Sequence, residues 1–156
     1  MRAHHVLFDW GDTLMVDLPD QTGAMCDWPK VEAVPGALDC LRRLHTKVVC
    51  HIATNARDSD PQQVRQALER VGLSAYIDTI FCYKTLGYDK ANPAFYKAII
   101  EALQVNPWQI TMVGDSLSKD IYPAMAQGLN TIWYNPQQLP CPAAILSVSH
   151  LADLVL

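Results

Sequence analysis

The chain has 156 residues, of which 50% are hydrophobic and 18% are charged, so its size suits one domain with a substantial apolar core. Its 12 basic and 16 acidic residues give a net charge of −4 and form no lysine or arginine run, so nucleic acid and anionic membranes are not expected partners. No apolar run approaches the roughly 18 residues that span a bilayer, and the N-terminus lacks the apolar core of a signal peptide, so we expect a cytoplasmic protein.

The five cysteines are scattered, odd in number and free of any C-x-x-C pair. We therefore expect neither a disulfide framework nor a structural zinc site, and we interpret them as small apolar residues of a reduced protein. His4 and His5 are neighbours on a predicted strand and so point to opposite faces. We interpret both histidines as structural.

Strands and helices alternate along the whole chain. Hydrophobic runs predict strands at 4–9, 47–54, 78–83, 109–114 and 130–134, followed by a short extended piece at 145–149. Helix starts are predicted at Pro35-Gly36, Ser59-Asp60-Pro61 and Asn92-Pro93, a fourth helix near 118–127, and a last helical turn at the C-terminus. This alternation indicates an α/β fold in which helices cover both faces of a mainly parallel sheet of about five strands.

Parallel sheets bind ligands beyond the carboxyl ends of their strands, so the residues that follow each strand are candidates for a site. Here they are Asp9, Thr54, Asn55, Asp115 and Asp120, with Lys90 after the third strand. A single acid at such a place is often only a helix cap, but three converging carboxylates repel one another unless a cation or a proton intervenes. This number of hard oxygen ligands suits Mg²⁺, and a lysine and a hydroxyl at the same rim favour a phosphoryl group.

Four segments resemble the ordered motifs of the haloacid dehalogenase (HAD) superfamily, namely VLFDWGDTL, HIATN, YDKANPAFY and MVGDSLSKD. The similarity extends over almost the whole chain, and each motif occurs at the end of the expected element. The resemblance implies a Rossmann-like three-layer sandwich over residues 1–156 as a single domain. It also implies a hydrolase, since most members of this superfamily are Mg²⁺-dependent phosphatases.

The resemblance gives each residue around the substrate a role. Asp9 would attack phosphorus and form an aspartyl-phosphate, while Thr54 and the backbone amide of Asn55 would hold the phosphoryl oxygens. Lys90 would pair with Asp9 and neutralise charge in the transition state. Lys84 competes for this last role, but the spacing favours Lys90, because a helix start follows it as in the family's third motif.

The resemblance also implies a set of metal ligands. Mg²⁺ would be held by Asp9, Asp115 and the backbone carbonyl of Gly11, while Asp120 would anchor metal-bound water or Lys90. A metal is needed because a carboxylate that attacks a phosphate ester brings two anions together.

Gly11 departs from the family's pattern. In the family's phosphatases the residue two after the nucleophile is usually an aspartate, which protonates the leaving oxygen and then activates water; here Asp12 stands one position later. General acid–base catalysis contributes about 10²–10⁴-fold, so three explanations are open. Asp12 swings in because Gly11 permits unusual backbone angles, the substrate has a good leaving group such as an acyl phosphate, or turnover has been lost. A structural role for Asp12 in the turn fits the sequence equally well.

The intervals between the motifs are too short for a separate cap domain, with 45 positions (54 − 9) from Asp9 to Thr54 and 36 (90 − 54) from Thr54 to Lys90. What is left is a long loop at 15–35, here called the flap, and long loops in compact domains tend to be functional. An open site predicts a large phosphorylated substrate, or a neighbouring subunit that covers the crevice. The flap's large side chains, Trp28 among them, would touch substrate or partner, or else pack on their own domain.

Two other functions compete with a phosphohydrolase. A haloacid dehalogenase proper also uses a strand-end aspartate but needs no Mg²⁺, and the acidic pair Asp115 and Asp120 favours the metal enzyme. A binding or regulatory module of the same fold is supported by Gly11. The other motif residues, which are all in place, speak against it.

Overall fold

Six parallel strands form one sheet in the order β3-β2-β1-β4-β5-β6 in the computed structural model, which describes residues 4–156. The strands are β1 (His5–Phe8), β2 (Val49–Thr54), β3 (Ile80–Cys82), β4 (Ile110–Gly114), β5 (Asn130–Tyr134) and β6 (Ser147–Val148). The predicted parallel α/β fold is confirmed. The sheet has one strand more than the expected five, because the extended piece near 145–149 pairs with β5.

Five α-helices connect these strands: α1 (Ala37–Leu44), α2 (Pro61–Arg70), α3 (Tyr83–Leu86), α4 (Pro93–Leu103) and α5 (Tyr122–Ala126). Asp60 caps α2 by accepting from the amide of Gln63, whose side chain accepts from the amide of Asp60 in return. Asn92 caps α4 in a similar way, so both predicted helix starts are confirmed. None of the described helices is long and apolar enough to cross a membrane.

Two predicted elements differ from the structure. The strand expected at 78–83 ends at Cys82, because the chain turns there into the short helix α3. The helix expected near 118–127 begins as a π-helical turn (Leu117–Ile121) and only then continues as α5. Single π-turns of this kind are frequent at functional sites.

The side chains of β1 alternate between two apolar layers. Val6 and Phe8 belong to the layer that contains α1, α2 and the flap, whereas Leu7 belongs to the layer that contains α4 and α5. The sheet is thus covered on both faces, as in a three-layer sandwich.

The end of β1 lies at the centre of the sheet. Phe8 is paired with Ile52 of β2 on one side and with Val113 of β4 on the other, and the amide of Asp9 donates to the carbonyl of Val113 at 2.9 Å. The residues after β1, β2 and β4 therefore meet at one edge, where the strand order switches direction and ligands bind in such sheets.

The flap is packed on its own domain. Met25 and Trp28 are buried in the apolar layer beneath it, and the flap contains one turn of 3₁₀-helix (Met25–Asp27). Arg70 of α2 donates to the flap's backbone carbonyls, at 2.6 Å to Trp28 and 3.2 Å to Cys26. Of the two interpretations of the flap's large side chains, packing on the same domain is the one that the structure shows.

A buried histidine pair joins β1 to β2. His51 is fully buried, and its Nδ1 accepts from the amide of Thr79, so the proton of the neutral ring must lie on Nε2, 2.9 Å from Nδ1 of His5. Burial, with the nearby His5, lowers the pKa of His51 to about 4. His4 contacts the hydroxyl of Thr111 instead, so both N-terminal histidines have structural partners.

Candidate active site

Lys90 lies at the centre of the site. Its Nζ donates to Oδ1 of Asp9 at 2.7 Å and to Oδ1 of Asp120 at 2.8 Å, and the residue is only 1% exposed. Burial by itself would lower the pKa of Lys90, but the carboxylates of Asp9 and Asp120 outweigh this effect and raise the pKa above its usual value. Lys90 is therefore charged, whereas its competitor Lys84 is exposed to solvent.

The side chain of Asn55 holds the backbone of Lys90. Its Oδ1 accepts from the Lys90 amide at 2.8 Å, which ties the loop after α3 to the end of β2. The sequence predicted a role only for the backbone amide of Asn55. No sequence signal distinguishes this side-chain contact, because it spans 35 positions.

Three carboxylates converge beside Lys90. Each of Asp9, Asp115 and Asp120 offers an oxygen that lies within 4.8 Å of the others. Burial, together with the neighbouring carboxylates of Asp9 and Asp120, raises the pKa of Asp115 to about 8. One lysine cannot neutralise three acids, so the cluster fits a divalent cation bound by oxygen ligands.

Asp120 is fully engaged by the protein. Besides its contact with Lys90, its Oδ2 accepts from the amide of Ser116 at 3.1 Å, and burial raises its pKa although Lys90 opposes this. Gly114 leaves space for it, because a Cβ at that position would lie 2.5 Å from the Cβ of Asp120. Of the two roles considered for Asp120, anchoring Lys90 is the one that this geometry supports.

The hydroxyl of Thr13 connects two of the acids. It lies 3.2 Å from Oδ2 of Asp9 and 3.4 Å from Oδ1 of Asp115, and Thr13 is completely buried. Sequence reasoning missed this residue, because a threonine four positions after an aspartate carries no signal of its own. It helps to orient the two carboxylates toward each other.

Thr54 lies at the end of β2 and faces the same cavity as Asp9. Its Oγ1 accepts from the amide of Ala56 at 3.0 Å, so the hydroxyl hydrogen is still available for an anionic ligand. This placement suits the predicted contact with phosphoryl oxygens.

The loop after Asp9 has an unusual backbone conformation. The left-handed residue of this loop is Asp12, with φ of 61°, whereas Gly11 lies outside the left-handed region. Oδ1 of Asp12 accepts from the amide of Asp17 at 3.0 Å. Asp12 therefore closes a small loop, as in its structural interpretation, while its catalytic role stays a prediction.

Asp17, in the flap, is an acid for which the sequence predicted no role. A Cβ built on Gly11 would lie 3.5 Å from Cβ and 3.8 Å from Oδ2 of Asp17. Partial burial raises the pKa of Asp17, and the carboxylates of Asp12 and Asp9 add to this effect. The sequence carried no signal for this acid, because its approach to Gly11 depends on the backbone of the loop.

The site residues other than Thr13 and Gly114 line one cavity of about 360 Å³. Its polar wall is formed by Asp9, Gly11, Asp12, Asp17, Thr54, Asn55, Asp58, Ser59, Lys90, Asp115, Ser116, Lys119 and Asp120. Trp10, Met25 and Trp28 provide apolar surface on the other side. The structure thus brings together every residue that the sequence predicted for the site.

Known proteins share both the sequence pattern and the fold. A Pyrococcus furiosus glyceraldehyde 3-phosphate phosphatase is 31% identical over 65% of this chain and 41% of its own length. An Escherichia coli pyrimidine 5'-nucleotidase, YjjG, is 33% identical over 78% of this chain and 54% of its own. The chain thus spans about half the length of these curated relatives.

The fold is shared with an uncharacterised protein from Listeria monocytogenes serotype 4b, with a TM-score of 0.83 and 25% identity over 97% of this chain and 94% of that one. Residues 11–128 match the family model of the haloacid dehalogenase-like hydrolases. This match spans more than half of the chain and contains Lys90, Asp115 and Asp120. The chain therefore belongs to the haloacid dehalogenase-like hydrolase family.

Proposed function

We propose that the chain is a Mg²⁺-dependent phosphohydrolase that acts through an aspartyl-phosphate on Asp9. The observation that carries this proposal is the buried Lys90, held between Asp9 and Asp120 with Asp115 within reach of both. A charged lysine on a strand-end carboxylate is suited to an anionic substrate, because it neutralises charge without taking up the nucleophile's second oxygen. The two named relatives act, by their names, on phosphate esters.

The residues divide the work of the first chemical step. A carboxylate oxygen of Asp9 forms a bond to phosphorus while the bond from phosphorus to the leaving oxygen breaks. Lys90 fixes the orientation of Asp9 and offsets the negative charge that two approaching anions create. Thr54 and the amide of Asn55 hold the non-bridging oxygens, which keeps phosphorus in line with Asp9.

The acid cluster supplies a suitable place for the metal. Mg²⁺ would be held by Asp9, Asp115 and the carbonyl of Gly11. Asp120 is left out of this set because its two carboxylate oxygens already accept from Lys90 and from the Ser116 amide. When bound, the ion screens the substrate's charge from the carboxylates and stabilises charge in the transition state. The raised pKa of Asp115 shows how poorly this cluster tolerates full ionisation by itself.

Substrate, partner and location are part of the proposal. The substrate is a phosphorylated compound. The flap is too small to form a cap domain, so it leaves room for a large substrate or for a second subunit over the crevice. Neither nucleic acid nor a membrane surface suits a chain with a net charge of −4. All five cysteines are free thiols, which suits the reducing cytoplasm.

The test is hydrolysis of p-nitrophenyl phosphate and acetyl phosphate with and without Mg²⁺. Asp9→Asn should abolish turnover, and Asp39→Asn, an exposed acid on α1, serves as the matched control that keeps it. Mass spectrometry of the quenched enzyme should find a phosphoryl group on Asp9. Turnover that persists in Asp9→Asn would rule out this mechanism, and silence of the native protein on both compounds would favour the binding module.

A further inference from the structure

The flap brings the carboxylate of Asp17 next to Gly11, which has no side chain of its own. The Cβ of Asp17 lies 3.5 Å and its Oδ2 3.8 Å from the point where a Cβ on residue 11 would stand, so these two side chains would share one space. Both Asp17 and Gly11 line the cavity that holds Asp9.

The return of the chain is fixed by the backbone. Asp12 takes the left-handed conformation, its amide donates to the carbonyl of Met15 at 2.6 Å, and its Oδ1 accepts from the amide of Asp17 at 3.0 Å. The amide of Val16 donates to the backbone carbonyl of Glu32 across the flap at 2.8 Å. These bonds hold residue 17 over residue 11, so Asp12 has a defined structural task that engages one oxygen of its carboxylate.

We propose that Asp17 is the proton-transferring residue of this site, and that Asp12 positions it. The inference rests on the phosphohydrolase function proposed above. It adds a fourth explanation of Gly11 to the three given above, because the carboxylate is supplied from the flap rather than by Asp12 or not at all.

The proton balance is complete with this one group. In the first step the Asp17 carboxyl gives its proton to the leaving oxygen as the P–O bond breaks, so that an alcohol departs and Asp17 becomes a carboxylate. In the second step this carboxylate takes a proton from water, whose oxygen attacks phosphorus. The P–O bond to Asp9 then breaks, which releases phosphate and leaves Asp9 as a carboxylate and Asp17 as a protonated carboxyl, as at the start.

The first experiment compares two isosteric changes, Asp17→Asn and Asp12→Asn. Asp17→Asn should slow transfer from an alkyl phosphate by about 10²–10⁴-fold, but slow transfer from acetyl phosphate much less, because a good leaving group needs no acid. With acetyl phosphate, the phosphoryl group should accumulate on Asp9 of Asp17→Asn, because no carboxylate activates water for the second step. Asp12→Asn keeps an oxygen that accepts the Asp17 amide, so it should lose less than about tenfold. Asp20→Asn, another exposed flap acid, is the control that should keep native rates.

The second experiment moves the acid. Gly11 is outside the left-handed region, so it can carry a side chain, and Asp17→Ala clears the space next to it. The double variant Gly11→Asp with Asp17→Ala should regain turnover that Asp17→Ala alone lacks. A structural role of Asp17 would produce neither this rescue nor a dependence on the leaving group.

The outcomes separate the two proposals. If the native enzyme hydrolyses phosphate esters and Asp17→Asn does so equally well for both leaving groups, the assignment of Asp17 is wrong and the phosphohydrolase stands. If Asp12→Asn is the damaging change, Asp12 is the acid instead. If the native enzyme neither hydrolyses these esters nor takes up phosphate on Asp9, the proposed function and the assignment both fail.

Discussion

Replacing Gly114 with alanine tests whether the buried Asp120 really fixes Lys90. A methyl group on Gly114 would lie 2.5 Å from the Cβ of Asp120 and closer still to its carboxyl group. Real Cβ contacts are rarely shorter than 3.4 Å, so Asp120 has to move by about 0.9 Å (3.4 − 2.5) or more. The neighbouring strands leave the backbone of β4 no comparable freedom, because Gly114 is paired with Trp133.

The expected cost follows from what Asp120 holds. Its displacement lengthens the 2.8 Å bond from Lys90 and the 3.1 Å bond from the Ser116 amide, and the carboxyl group is only 1% exposed, so water does not replace them. Breaking a buried ion pair costs about 3–5 kcal/mol. Because Lys90 keeps its contact with Asp9, we expect the lower end of that range, about 3 kcal/mol in the free energy of unfolding.

The assay is unfolding in urea without divalent metal, with circular dichroism as the measured signal. Gly11→Ala is the matched control, because its Cβ would make only an ordinary 3.5 Å contact, and it should change stability by less than about 1 kcal/mol. Gly114→Ala should also lower phosphatase activity, since Lys90 keeps its contact with Asp9 but loses the support of Asp120 and orients Asp9 less firmly. If Gly114→Ala unfolds within about 0.5 kcal/mol of Gly11→Ala, the tight placement of Asp120 is refuted.

Three further predictions address the lysine, the flap and the histidine pair. Lys90→Met should lower kcat for p-nitrophenyl phosphate by at least about 10²–10³-fold, whereas Lys84→Met should leave it unchanged; equal losses would remove Lys90 from the mechanism. Arg70→Met should lose about 1 kcal/mol of stability and speed hydrogen exchange near Trp28, because the carbonyl contacts of the flap disappear; unaltered exchange would contradict this anchor. Between about pH 7 and pH 4 the unfolded chain protonates His51 (pKa about 6.5) before the folded protein does (about 4), so His51 by itself should lower stability by about 3 kcal/mol. The measurement is the difference between the native and His51→Gln profiles, because the raised pKa of Asp115 acts in the opposite direction. Parallel profiles would show that His51 does not contribute.

The site was predictable because parallel strands place their carboxyl ends together. Once β1, β2 and β4 are recognised as buried parallel strands, their carboxyl ends must lie at one edge of the sheet, whichever helices connect them. That edge therefore carries Asp9, Thr54 and Asp115. Lys90 was harder to choose over Lys84 from spacing alone. Only the structure shows that one is buried on Asp9 while the other is in solvent.

Helix starts were predicted well because capping is local. The side chains of Asp60 and Asn92 bond to amides two or three residues ahead, so the sequence contains both partners of each bond. The π-turn before α5 could not be predicted in this way. Its residue Asp120 is bound by Lys90, which is 30 positions distant, and a local pattern cannot report such a contact.

Asp17 escaped the sequence analysis for a related reason. Its approach to Gly11 depends on the φ angle of Asp12 and on the pairing of Val16 with Glu32, and neither is encoded by spacing. Residue-by-residue comparison with a family pattern finds a missing group at a position. It does not find a replacement that comes from another position.

The charges of the site give a physical reason why the proton-transferring acid stands apart from the others. Asp9, Asp115 and Asp120 share one lysine, so their sum is −2 (1 − 3) when all are ionised, and one divalent cation would balance it. A carboxylate locked to a cation holds its charge and is a poor proton carrier. Asp17 lies outside this set, next to the space over Gly11. In the described chain its hydrogen-bond partners include neither Lys90 nor any of the three acids. An acid that must be neutral in one step and charged in the next belongs outside the set of carboxylates that Lys90 binds directly.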